Sequence, residues 1–299
     1  MKNKIAVIGI VIFCIIALIV FLCIKNINRN SENNKESDNF KIVTSFYPIY
    51  IIAENVTKGA GNIELSNMAE LNGGCLHDYT LSTSDVKKLE DADVFIENGV
   101  GIEKFTDKLL QIYSDLKIID SSIELTDIIE SGEEENGHTW MGIENYKKQT
   151  LNIANELSKY NPENAEIYTK NANEYIEKIE EINKKYKERL SNLSGEKVIC
   201  LNESFEYLGR DLNLDMIMVE TDHEESTLSA DRLKSLIEQA KENNIKMIII
   251  GEDDNTQNAE TISSETGAKI YKLKTGMSGN YSENSYIEDL EYNLEQLSK

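Results

Sequence analysis

Apolar residues along this chain fall into two alternating rhythms. Short runs rich in β-branched and aromatic residues, at 41–47, 63–68, 94–97, 117–119, 197–201, 216–219, 246–250 and 270–273, read as strands. Between them, apolar residues return every three or four positions at 49–56, 82–89, 146–160, 233–240, 259–268 and 286–297, which is the spacing of one helix face. Strands and helices alternating in this way predict an α/β fold in which mainly parallel sheets are flanked by helices. The longest helical pattern opens at Asn161-Pro162-Glu163, where asparagine stands as cap and proline at the first position, and it continues to about Leu193. At 1.5 Å per residue that helix is roughly 45 Å long. It divides the folded chain into residues 40–160, a linking helix at 161–195, and residues 196–299.

Residues 5–24 follow neither rhythm. They are apolar without a break and are bracketed by Lys2, Lys4, Lys25 and Arg29, about the length a helix needs to cross the hydrocarbon layer. The run predicts membrane targeting, with three outcomes open: an uncleaved anchor, a cleaved secretory signal, or lipidation at Cys23, which follows Leu22. Each places the folded part outside the cytoplasm, with the polar residues 26–39 as a tether. Fifty-three acidic and thirty-one basic side chains give a formal charge of −22. That balance argues against nucleic acid, whose phosphates need a basic footprint. Cys14 and Cys23 lie in the apolar run, so Cys75 and Cys200 are the only cysteines of the folded part and no disulfide framework is indicated. Each stands two residues before a candidate site position, and burial as a small apolar residue is preferred there to a thiolate ligand.

The candidate chemistry centres on three histidines. In Gly73-Gly74-Cys75-Leu76-His77 the glycine pair allows a tight turn, and Ser82 then caps a helix carrying Val86 and Leu89, which presents His77 at a loop-to-helix junction. His138 lies in Gly137-His138-Thr139-Trp140-Met141, after the polar loop 128–137 with its Glu133, Glu134 and Glu135, and before a helix. Its neighbour Trp140 is the chain's single tryptophan, placed to pack beneath the loop. His223 lies in Asp222-His223-Glu224-Glu225, after a strand. At the carboxyl ends of two further strands, where open α/β sheets hold ligands, come Asn202-Glu203-Ser204 and the acidic cluster Gly251-Glu252-Asp253-Asp254. No His-Glu-x-x-His and no nucleophile motif accompanies them, so an enzyme is not indicated.

Taken together, His77-Asp78-Tyr79, the Ser84-Asp-Val-Lys-Lys-Leu89 helix, the Ala92-Asp93 strand and the turn from Asn98-Gly99 to Ile102-Glu-Lys-Phe105 resemble the solute-binding proteins of ABC importers for zinc and manganese. Ser45-Phe-Tyr-Pro48, His138-x-Trp140 and Phe205-x-Tyr207 extend the resemblance over about residues 40–297. It implies two lobes joined by one long stiff helix, with His77 and His138 as the first two metal ligands. The third ligand of that family is a histidine or glutamate where this chain has Asn202, and the fourth is an aspartate where it has Lys274 and Thr275. Glu203, Glu252 and His223 are the candidate substitutes. Zinc is the expected ion because histidines dominate, with manganese the alternative if the remaining ligands are oxygens. The resemblance further implies a monomer that hands its ion to a membrane permease. The changes at Asn202 and Lys274 leave open a different role, a membrane-tethered relative with a degenerate metal site acting as sensor, chaperone or adhesion module.

Overall fold

The computed structural model describes residues 39–69, 76, 79–131, 134–219 and 228–299. The anticipated membrane segment, His77 and His223 lie outside the described residues. Among the described residues no helix is long and apolar enough to cross a membrane.

Two four-stranded sheets, parallel throughout, form the framework. The first contains β1 (Phe40–Thr44), β2 (Ile63–Asn67), β3 (Val94–Glu97) and β4 (Lys117–Asp120) in the order β2-β1-β3-β4. A two-stranded antiparallel pair, β5 (Glu130–Ser131) and β6 (Glu134–Glu135), follows it. The second sheet contains β7 (Lys197–Cys200), β8 (Asp215–Met218), β9 (Met247–Gly251) and β10 (Lys269–Leu273) in the order β10-β9-β7-β8. Read from the other edge, this is the strand order of the first sheet. In each half the chain lays its second strand on one side of the first and its third on the other. The crevice between first and third strands is where such sheets receive ligands.

The helices obey the expected periodicity. They are α1 (Tyr47–Thr57), α2 (Thr83–Lys88), α3 (Thr106–Ile112), α4 (Ile143–Tyr160), α5 (Ala165–Lys187), α6 (Glu206–Asp211), α7 (Ala230–Glu242), α8 (Gln257–Thr266) and α9 (Ser285–Leu297). Ser82 caps α2 in a capping box, its hydroxyl accepting from Asp85 N while the Asp85 carboxylate accepts from Ser82 N. The long helix is shorter than its sequence pattern suggests. Pro162–Asn164 forms a 3-10 turn, α5 proper runs 23 residues, and a second 3-10 turn at Ser191–Leu193 ends the stretch. Its axis is therefore about 35 Å long. Asn161 does not act as a side-chain cap there; its Oδ1 instead accepts from Asn164 Nδ2 and the Tyr168 hydroxyl.

Alternation along the second sheet shows why the halves pack together. Val198, Cys200, Met247 and Ile249 face a core continuous with the first half, whereas Ile199, Ile248 and Ile250 face a separate cluster beneath α7 and α8. Aromatic rings fill the joint. Tyr146 of α4 stacks on Tyr286 of α9 with centroids 3.5 Å apart and planes within 7°. The segment before α9 docks on the first half, where the Tyr281 ring meets Tyr47 and Tyr50 edge-on at 5.0 and 5.1 Å. Gly279 makes that approach possible, since a Cβ there would lie 2.2 Å from the Tyr47 hydroxyl oxygen.

Candidate metal centre

His138 is 1% exposed and precedes the 3-10 turn Thr139–Met141. Its backbone N–H donates to Asn136 Oδ1 at 2.9 Å, and its Nδ1 lies 2.9 Å from the same oxygen. Because that oxygen can only accept, the proton belongs on Nδ1, the tautomer that carries the ring's lone pair on Nε2. A second hydrogen bond that fixes ring and tautomer is the usual support of a metal-binding histidine. Trp140, fully buried, lies 5.2 Å from the His138 ring and 5.0 Å from Phe46, as the packing role required.

The loop carrying His138 rests on a buried polar network. Asn98 donates through Nδ2 to Gly137 O at 2.9 Å and accepts at Oδ1 from the Thr139 hydroxyl at 2.9 Å, so it holds the residues on both sides of His138. Gln149 of α4 donates to Asn98 Oδ1 and to Ser121 Oγ. These side chains are fully buried, and their hydrogen bonds offset the removal of polar groups from water, Gln149 Oε1 excepted. Alongside, both oxygens of the buried Glu103 carboxyl accept from backbone, one from Asn98 N at 2.7 Å and one from Gly99 N at 3.1 Å. Burial nonetheless pushes the Glu103 pKa up to about 8 and that of Glu97 up to about 7. The sequence offered no sign of this network, because Asn, Gln, Thr and Ser positions look the same whether they face water or core.

In the second half the candidates are engaged differently. Asn202, at the end of β7, accepts at Oδ1 from Ser204 N at 3.0 Å and donates from Nδ2 to Asp254 Oδ2 at 2.9 Å. Asp254 Oδ2 also accepts from Gly251 N at 2.7 Å. Asp254, one member of the acidic cluster, is thus the carboxylate at the crevice between β7 and β9. Glu252 is exposed and stands on the α9 side, its Oε1 3.5 Å from the Tyr292 hydroxyl. Glu203 is half-buried, and its carbonyl accepts from Asn136 Nδ2 at 3.2 Å. Lys274 turns to α9, its ammonium 2.8 Å from Asp289 Oδ1, and Thr275 O accepts from Trp140 Nε1 at 2.9 Å. Cys200 is fully buried with its thiol pushed up to about 12 by desolvation, so it packs as a neutral group. Among the described residues no cluster of three or more His, Cys, Asp and Glu side chains could hold a metal ion. Of the candidate ligands, Asn202 bonds to Asp254 and Glu252 lies against Tyr292, while Asn136 bridges the His138 ring to the backbone carbonyl of Glu203.

Three comparisons bear on this geometry. The high-affinity zinc uptake system protein ZnuA of Bacillus subtilis is 26% identical over 97% of this chain and 96% of its own length. The zinc-binding lipoprotein AdcA of Streptococcus pneumoniae is 30% identical over 90% of this chain, which spans 57% of that longer protein. The solute-binding protein FpvC of Pseudomonas aeruginosa, solved with Ni²⁺ and with Mn²⁺, superposes with a TM-score of 0.77 in both forms at 26% identity, over 87% of this chain and 96% and 97% of the two FpvC chains. Residues 42–299 match the model of the family described as "Zinc-uptake complex component A periplasmic", and the chain belongs to that family.

Proposed function

We propose that zinc is the cargo of this chain, with manganese the second candidate, and that His77 and His138 supply the first two ligands. Members of the family are solute-binding components of metal ABC importers rather than enzymes, so the task is to hold an ion and give it up to a permease outside the cytoplasm. The observation that carries the reading is the His138 ring, buried and held through Nδ1 by an amide oxygen. Neutral imidazole suits zinc, and a site that releases its ion needs no open coordination position and no general base.

Glu203, Glu252 and His223 are the candidate partners from the second half, while the Asn202 side chain is committed to Asp254 and Ser204. We assign residues 40–160 and 196–299 as the two lobes, residues 161–195 as their link, and residues 1–39 as the membrane segment and tether of a monomer. A second reading, a tethered relative with a degenerate site, draws support from Asn202 and Lys274, whose side chains are committed to Asp254 and Asp289. Calorimetric titration of the chain with Zn²⁺ and Mn²⁺ separates the two. Zinc binding that is lost in His138→Ala upholds the first; no binding of either ion at micromolar concentration upholds the second.

A further inference from the structure

The residue that orients His138 is also the one the second half grips. Asn136 is 3% exposed and uses its full hydrogen-bonding capacity. Oδ1 accepts from the His138 backbone and ring, and Nδ2 donates both to Glu203 O at 3.2 Å and to Glu206 Oε2 at 2.9 Å. Its carbonyl accepts from the Tyr207 hydroxyl at 2.7 Å, and that hydroxyl accepts in turn from Ile129 N at 3.1 Å. A few residues on, Asp211 Oδ2 accepts from Ile143 N at 2.7 Å, so the start of α4 is capped by a side chain of α6 rather than by its own. One short helix of the second half therefore holds both ends of the loop that bears His138.

We propose that Asn136 is a positioning residue that couples occupation of His138 to the engagement of α6. The inference rests on the assignment of His138 as a ligand. A cation on Nε2 draws electron density from the imidazole and makes Nδ1–H a stronger donor. Asn136 Oδ1 takes up more negative character, and by amide resonance Nδ2–H becomes a stronger donor to the Glu206 carboxylate. Hydrogen bonds in series reinforce one another in this way. Linkage makes the effect reciprocal: a carboxylate on Nδ2 makes Oδ1 a better acceptor and the imidazole a better ligand.

The test uses the full chain, Zn²⁺ titration by calorimetry, and backbone hydrogen exchange of residues 203–211 with and without Zn²⁺. Glu206→Ala is expected to weaken Zn²⁺ binding by roughly threefold to tenfold and to abolish zinc-dependent slowing of exchange in α6, while Glu206→Gln, which keeps an acceptor oxygen, retains most of both. Asn136→Asp sets two carboxylates against each other and weakens binding. Adding Glu206→Gln restores it, because the introduced carboxylate then accepts both from His138 and from the new amide. If Glu206→Ala binds Zn²⁺ like the parent and α6 still responds to zinc, or if the double variant is no better than Asn136→Asp, the coupling is wrong although His138 remains a ligand. If His138→Ala binds as tightly as the parent, the ligand assignment itself fails and the coupling falls with it.

Discussion

The two halves of this protein share a strand order and use it in opposite ways. In the first half, the loops around the β1/β3 crevice feed a buried network of Asn98, Thr139, Gln149 and Ser121 that fixes the backbone on either side of His138. In the second half, side chains at the strand ends are spent on structural partners, Asn202 on Asp254 in the loop after β9 and Lys274, after β10, on Asp289 of α9. The same sheet edge therefore fixes the proposed ligand His138 in one case and makes a closed set of structural bonds in the other. Topology supplies the crevice, and individual side chains decide whether it faces an ion.

The sharpest way to break this contrast is to remove a group from each side. His138→Ala is expected to weaken Zn²⁺ binding by about 100-fold or more, since one ligand of a tight site is lost. Asn202→Ala is expected to change it by no more than about threefold, its loss appearing as lower thermal stability because the Asp254 carboxylate loses one of its two donors and keeps only Gly251 N. Equal losses in the two variants, measured by calorimetry, would show that the halves contribute alike.

Two carboxyls, the buried Glu103 and the half-buried Glu97, sharpen the comparison through pH. Glu97 and Glu103 lie under the first half's crevice, with pKa values of about 7 and about 8 against an ordinary 4.5, in both cases chiefly because burial disfavours the charged form. The folded state keeps protons there that the unfolded chain has already released. Stability therefore falls as pH rises from about 5 to about 8, by up to about 1.4 kcal/mol per pH unit for Glu103 alone. Chemical denaturation at pH 6.5 and pH 8 is expected to show about 1–2 kcal/mol less stability at the higher pH, and Glu103→Gln to flatten most of that slope. A parent curve that is flat, or that rises with pH, contradicts the burial argument.

How far the sequence carried is visible in particular residues. The eight strands of the two sheets were legible because β-branched runs such as Lys197–Cys200 have few other uses, and the Ser82 cap followed from its hydroxyl and the helix after it. His138 with Trp140 was legible as a motif. What could not be read was partnership. Nothing in the linear order says that Asn202 meets Asp254 fifty-two residues away, that Lys274 turns to Asp289, or that Asp211 caps a helix in the other half. Glu252 shows the same limit: acidic residues close together at a strand end point to opposite sides, and here Asp254 folds back to the crevice while Glu252 faces Tyr292.

A smaller effect tests the joint itself. Trp140→Phe keeps the ring against Phe46 but removes the donor to Thr275 O, leaving a carbonyl of the second half to find water. The expected loss is about 1 kcal/mol in a denaturant titration, with Zn²⁺ affinity lowered by no more than about threefold. A stability loss of about 4 kcal/mol would instead mark the indole as core packing that phenylalanine cannot replace.

The smallest expected change in binding belongs to Lys274, and it discriminates well because the alternative predicts a large one. If the ammonium faced the ion, removing its charge would lift a direct repulsion and tighten Zn²⁺ binding markedly. In the structure the ammonium is held by Asp289 and lies 5.1 Å from the centre of the Tyr292 ring, while the backbone of Lys274 is clamped to Asn293 through two hydrogen bonds. Lys274→Met is therefore expected to leave Zn²⁺ affinity within about twofold and to lower stability by about 1 kcal/mol, mostly because the half-buried Asp289 loses its partner. Asp289→Asn in the same chain is expected to return most of that stability, since an amide needs no counter-charge. Tightening of Zn²⁺ binding by about tenfold in Lys274→Met would place the lysine at the ion and overturn the division between the halves.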